Sequence, residues 1–481
     1  MLKIKTGKNK KIKVLFCAAE AAPLAKVGGL ADVVGSLPAA LKKIGVEVSV
    51  MMPAHGEISL RHLAAKRLLD FSVIVGNKKE KVAVYEAAVK GIRFYLLQNK
   101  NYFTGGVYAG GNGRKYLFYC RAALKAMELL PSHFDIVQAH DYHAAAIVSA
   151  LGARPLSERP GLILTIHNLR HQGHIDFKEA EYFGFSETDF APASLTGGQE
   201  RCLNILASGI LRADKVTTVS PTYAKEIMTA EYGCELEKIL RSRRADVVGI
   251  LNGIDIDEYD PARDEKIARV YTPATVAAGK AINKQAMRTY LGLSENEAPL
   301  LAFIARFSGQ KGLDIFDGAA LAALNKKYPF QLVLLGTGEE KYEKLAAAIS
   351  RKIGKEAKTL VAFNETMAHN LYAAADFFLM PSLFEPCGLT QMIAMRYGTI
   401  PLVRAVGGLK DTVVEKKTGM VFKPYTAAAL TACLKKALRL YYQNQNNFKI
   451  IRQNCLHRDW SWAASAPAYR RLYEQIESGR K

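Results

Sequence analysis

The chain has 481 residues, 49% hydrophobic and 23% charged, too long for one core and ordinary for a globular protein of two or more domains. Lys and Arg number 66 against 45 Asp and Glu, a net charge of +21; the basic residues are scattered, with no basic helix or RNA-binding aromatic signature, so nucleic acid is not expected as a partner. No apolar run approaches the ~20 residues that span a bilayer, the seven cysteines form no C-x-x-C, and the basic start MLKIKTGKNKKIKV lacks a signal peptide's apolar segment, so the expected setting is the reducing cytoplasm, away from membranes.

Ile12 to Cys17 reads as a first strand, Leu30 to Leu41 as a helix, and Val46 to Met51 as the next strand. Pro38 falls inside that helical spacing and predicts a kink or a break. The strand-loop-helix-strand order implies a parallel sheet. Lys81 to Ala88 and Ile92 to Leu97 alternate like a hairpin, and Asn101 to Lys115 is a glycine-rich surface loop holding Tyr108. Leu117 to Leu130 is helical. Ile136 to Ala139 and Gly161 to Thr165 are buried strands, each running into a histidine-bearing loop. Lys215 to Val219 and Val247 to Leu251 complete this half.

Asn252-Gly253-Ile254-Asp255 and Asp260-Pro261 mark a boundary, because Asn-Gly and Asp-Pro punctuate turns. The strand-helix rhythm then repeats: Leu300 to Ile304, Gln331 to Leu335, Thr359 to Phe363, Ala375 to Met380 and Ile400 to Val403, with helices such as Glu340 to Ile349 and Ala427 to Tyr442. Trp460-Ser461-Trp462 starts a final helix. Two successive α/β domains predict a ligand held in the cleft between them.

Four stretches carry chemistry. Lys26-Val27-Gly28-Gly29 precedes the first helix, where two glycines admit a ligand to the backbone and a lysine adds charge; a glycine pair alone is equally an ordinary turn. Arg306 and Lys311 follow one strand end, and a guanidinium fork with a point ammonium can bracket a diphosphate without a metal. Five histidines lie between His140 and His174, but no H-E-x-x-H occurs and no metal site is expected. Glu385 sits on a strand-to-helix loop beside the amides of Gly388 and Leu389, able to hold a hydroxylated group and a phosphate together. No G-x-S-x-G elbow is present.

Glu385-Pro386-Cys387-Gly388-Leu389-Thr390-Gln391, with Lys26-Val27-Gly28-Gly29-Leu30, resembles the bacterial glycogen synthases and plant starch synthases. A wider class of retaining glycosyltransferases carries a second Glu eight residues after the first; here that place is Ile393, which fits the glycogen/starch synthase branch. The resemblance implies an α/β GT-B fold, two Rossmann-like domains facing each other across a deep cleft. Its domains would be residues 1–255 on the acceptor side, 256–456 on the nucleotide-sugar side, and a C-terminal helix, 457–481, returning to the first. It implies transfer of glucose from ADP-glucose to the non-reducing end of an α-1,4-glucan with retention, and no cofactor. The alternatives are a related retaining transferase using UDP-glucose and a non-catalytic glucan-binding homologue. As catalytic residues it implies Glu385, His167, Asp141, Arg306 and Lys311. For the nucleotide sugar it implies Lys26, Gly28, Gly29, Asn252, Phe363 (stacking on the base), Cys387, Gly388, Leu389 and Thr390, and for the acceptor Tyr108.

Overall fold

The computed structural model describes residues 11–109, 112–191, 202–362 and 364–480. The chain divides into two compact units. One holds the residues up to Gly253 together with those from Trp462 onward; the other is Ile254–Ser461.

The first unit is built on β1 (Lys13–Cys17), α1 (Gly29–Lys43), β2 (Glu47–Pro53), β3 (Lys66–Val75), β4 (Lys78–Val89), β5 (Ile92–Gln98), α2 (Asn112–Leu129), β6 (Ile136–His140), α3 (Tyr142–Gly152) and β7 (Gly161–Ile166). The short strands β8 (His174–Asp176) and β9 (Cys202–Asn204) pair with each other, and β10 (Lys215–Thr218) and β11 (Val247–Gly249) follow. The main sheet has the order β11-β10-β7-β6-β1-β2-β5-β4-β3. Only β4 runs against the rest. Val14 to Cys17 and Ile136 to His140 are fully buried, as expected of central parallel strands covered on both faces.

Two expectations from sequence need correction. The break expected at Pro38 does not occur: α1 runs as one helix from Gly29 to Lys43. Its face of Val33, Val34, Leu37 and Leu41 is buried, and that burial outweighs the roughly 3 kcal/mol a mid-helix proline costs. The glycine-rich loop is shorter than its composition suggests, because α2 already begins at Asn112, and glycine in a helix's first turn is tolerated. The strand β3 escaped prediction altogether. It is an edge strand whose burial alternates from Leu69 to Val75, but the apolar Leu68 and Ile74 lie on its exposed side and blur that alternation in the sequence.

The helix Trp462–Ser478 belongs to this first unit; Trp460 and Ser461 precede it. Trp462 Nε1 donates to Ser36 Oγ at 2.7 Å, and Tyr473 OH donates to Gln138 Oε1 at 2.7 Å. Tyr469, Leu472, Tyr473 and Ile476 form the buried face of this helix.

The second unit carries a six-stranded, wholly parallel sheet of β12 (Leu300–Ile304), β13 (Gln331–Gly336), β14 (Ala357–Val361), β15 (Phe377–Met380), β16 (Ile400–Arg404) and β17 (Met420–Phe422), in the order β14-β13-β12-β15-β16-β17. Its two chain ends are tied together: Ile254 N donates to Trp460 O at 2.8 Å.

Both sheets reverse direction of growth beside their first strand. In the first unit the chain winds from β1 to β2 on one side, then returns to β6 on the other; in the second it winds from β12 to β13 and returns to β15. At such a switch point the loops beyond the carboxyl ends of the two flanking strands diverge and leave a crevice. The loops at issue are therefore those after β1 and β6, and those after β12 and β15.

Candidate active site

Asp141 is the first residue after β6. Its backbone has φ +57° and ψ −174°, although it is not glycine. Its Oδ1 accepts from His167 N at 2.7 Å and Asn168 N at 3.3 Å, so the loops after β6 and β7 are fastened by one carboxylate. Burial pushes that carboxyl up to about 7 despite the two amide donors, and Glu20 after β1 adds to the rise. A carboxyl with this value is poised between its two forms at neutral pH.

Four imidazoles surround this point. His140 Nδ1 lies 2.9 Å from His167 Nε2. His55 Nε2 meets Ala19 O at 2.7 Å. His143 lies against Tyr142 at 3.9 Å between ring centroids and Tyr116 at 4.5 Å. Burial lowers His55 to about 4 and His143 and His167 to about 3, and lowers His140 well below its ordinary range. All four are neutral at pH 7, so His167 is a neutral hydrogen-bonding ring rather than a cation. His171 and His174 are exposed. Among the described residues the one cluster with metal-type donors lies elsewhere, at Glu258, Glu365 and His369 of the second unit. There Lys266 Nζ sits 2.6, 3.1 and 3.4 Å from the three groups and supplies the positive charge itself.

Lys26 lies on the turn between β1 and α1, where its ammonium pairs with Asp32 at 2.6 Å. It lines a pocket of about 490 Å3 with Glu57, Gly106 and Tyr108. Tyr108 is 43% exposed, and its ring lies 5.8 Å from that of His143 between centroids. Gly28 and Gly29 stand at the start of α1. Asn252 is buried, and its Oδ1 has no hydrogen-bond partner among the described residues.

In the second unit Arg306 and Lys311 follow β12, and Glu385 follows β15. Arg306 is exposed. Lys311 Nζ donates to Glu385 Oε2 at 2.6 Å, and Ser382 Oγ donates to the same oxygen at 3.1 Å. The carboxylate is 4% exposed, and its burial is offset by these two donors. An ammonium has three hydrogens, so Lys311 keeps two for other oxygen ligands. The loop that carries Glu385 is clamped along its length. Leu383 N donates to Gln310 O, Arg404 Nη1 donates to Leu383 O, and Gly408 N donates to Glu385 O at 3.1 Å. Gly407 has φ +42°, and a Cβ there would collide with Glu385 O. Gly388 lies at φ +71°, Cys387 is buried, and Leu389 precedes the short helix Thr390–Arg396. Thr390 Oγ1 contacts Met380 Sδ at 3.3 Å. Ile393 is buried on that helix. Phe363 lies outside the described residues.

Sequence reasoning did not single out Glu20, His55, His143 or Ser382. Glu20 left one signal: a carboxylate among alanines (Ala18-Ala19-Glu20-Ala21-Ala22) directly after a buried strand. Ser382 left none, since Pro-Ser after a strand is ordinary turn chemistry.

Residues 13–242 match the family described as starch synthase catalytic domain, and residues 292–453 match glycosyl transferases group 1. The chain is 38% identical to a glycogen synthase of Streptococcus sanguinis over 97% of this chain and all of the relative. It is 37% identical to a glycogen synthase of Bacillus subtilis, covering 98% and 99%. The structure matches the catalytic domain of starch synthase IV from Arabidopsis thaliana, bound to ADP and acarbose, with a TM-score of 0.90 at 30% identity, covering 98% of this chain and all of that one. With a largely parallel sheet in the first unit, a wholly parallel one in the second and site loops at both switch points, the chain has the GT-B fold and belongs to the glycogen/starch synthase family of glycosyltransferases.

Proposed function

We propose that the chain transfers glucose from ADP-glucose to the non-reducing 4-hydroxyl of an α-1,4-glucan, with retention at the anomeric carbon, in the cytoplasm. The single observation that carries the chemistry is the Lys311–Glu385 pair on the two loops flanking the second unit's switch point. It sets a cation suited to a departing diphosphate beside a carboxylate suited to sugar hydroxyls.

Each residue takes a role its surroundings support. Arg306 and Lys311, with the amides of Gly388 and Leu389, stabilise the charge that develops on the leaving ADP. Glu385 accepts from donor-glucose hydroxyls and favours positive charge on the ring. His167, neutral, contacts donor hydroxyls. Asp141, when ionised, supplies negative charge at the reacting centre. Tyr108 stacks on the acceptor glucan. Lys26, Gly28, Gly29, Asn252, Cys387 and Thr390 serve the nucleotide sugar, Asn252 with a buried oxygen that a ligand donor would satisfy. The arrangement uses no metal: two protein cations supply the charge. The ADP carried by the solved starch synthase IV supports the choice of base.

The test is release of nucleoside diphosphate from ADP-, UDP- and GDP-glucose with glycogen, using the wild type and Glu385→Gln. Release from ADP-glucose alone, falling by about a hundredfold or more in Glu385→Gln, is the expected result, the scale of losing one preorganised active-site group. Preferential turnover of UDP-glucose would replace the donor, and near-normal turnover in a folded Glu385→Gln protein would remove Glu385 from its role.

A further inference from the structure

Glu20 is three residues past the end of β1 and only 2% exposed. A carboxylate that far from water needs donors. Its Oε2 finds them in Val27 N at 2.5 Å and Gly28 N at 3.3 Å. These amides stand immediately before α1, where a helix N-terminus ordinarily presents free N–H groups to a bound anion. The turn thus holds an anion of its own. Lys26, between β1 and those amides, is paired with Asp32 in the first turn of α1. The shape of the turn is therefore imposed by the protein's own charges.

Glu20 also acts on Asp141. The other groups that bear on Asp141 come from three elements: His167 after β7, Tyr142 on α3, and Tyr223 on the helix Pro221–Glu226. Burial keeps all three neutral at pH 7: it lowers His167 to about 3, raises Tyr142 to about 12, and raises Tyr223 well above its ordinary range. Among the neighbours of Asp141, Glu20 is the one that adds to the rise of its carboxyl.

We propose that Glu20 is a positioning residue for the transfer reaction: through the Val27 and Gly28 amides it holds the Lys26–Gly28 turn in its working shape. This rests on the reading that Lys26 serves the donor and Asp141 the reacting centre.

The experiment compares Glu20→Gln, Glu20→Ala and Asp141→Asn in the full chain, with steady-state rates from about pH 5.5 to 9. Glu20→Ala leaves the Val27 and Gly28 amides without their acceptor, and the donor KM rises by about tenfold; Glu20→Gln keeps an acceptor oxygen and restores most of it. In both, Asp141 loses the neighbour that adds to the rise of its carboxyl, so the acid limb of kcat/KM moves to lower pH. A simple packing role would not move that limb. Wild-type KM with an unmoved limb would overturn the proposal. Should Glu20→Ala fail to fold, the near-isosteric Glu20→Gln still decides it through the limb. Asp141→Asn separates the two readings. If it is fully active, the role of Asp141 itself is wrong. If it is inactive while the Glu20 variants behave as wild type, only the present proposal fails.

Discussion

Asp141 keeps a backbone conformation that belongs to glycine in ordinary chains, at a strain of about 1–3 kcal/mol. It is held there because its carboxylate accepts from the amides of His167 and Asn168 and its own amide donates to Thr165 O at 2.9 Å. Its carboxyl stands at about 7 against an ordinary 3.8, so the native protein binds a proton that the unfolded chain has released. The stability this gives is complete below about pH 3.8 and is lost as pH rises through 7. Asparagine keeps the accepting oxygen and never ionises. Asp141→Asn should therefore raise Tm at pH 8 by roughly 2–4 °C for each kcal/mol recovered, gain much less at pH 5, and lower turnover by about a hundredfold or more. Calorimetry at the two pH values checks it; equal gains at both would refute the buried-charge account. Sequence reading reached Asp141 and His167 through a motif, but not the bond between them, because an amide 26 positions away leaves no local pattern. The same holds for His55, whose partner is set by the ends of β1 and β2 meeting in the sheet.

At the scale of elements, Glu385 is placed by pieces that converge on the end of β15. The helix Gly407–Thr412 presses its first two glycines against the backbone of Glu385 and Cys387 so closely that neither has room for a Cβ. Arg404 and Gln310 fasten the same loop from β16 and from the Arg306–Lys311 loop. Gly407→Ala adds a methyl at φ +42°, against Glu385 O, and the loop must move. Turnover should fall by about tenfold to a hundredfold while ADP affinity falls less, since a misplaced carboxylate affects the reacting sugar before the diphosphate. Steady-state rates with isothermal titration of ADP check this; unchanged turnover would show that the loop absorbs the shift. The buried parallel strands were legible because both their faces are covered and they read as apolar runs. The edge strand β3 was not, nor was the passage of α1 through Pro38, which is itself buried with Val34, Leu37 and Leu41.

Across the whole molecule the charge is +21, more than a clamp of Arg306 and Lys311 needs. Ion pairs such as Lys26 with Asp32, Lys311 with Glu385, and Lys266 with Glu258 and Glu365 leave that excess intact, because their carboxylates are already counted in it. The excess is a field that acts on any charged ligand and leaves a neutral one alone. A nucleotide sugar carries a diphosphate, whereas a glucan carries no charge, so the two substrates of one reaction should respond differently to salt. The screening length is about 10 Å at 0.1 M ionic strength and about 3 Å at 1 M, so moderate salt removes the long-range attraction but spares the buried Lys311–Glu385 contact. Between about 0.02 and 0.3 M sodium chloride, KM for ADP-glucose should rise by several-fold, with kcat and the KM for glycogen nearly constant. A parallel rise in both Michaelis constants would point to loosening of the fold, and an unchanged donor KM would leave donor binding to the short-range contacts of the Arg306–Lys311 and Glu385–Leu389 loops alone.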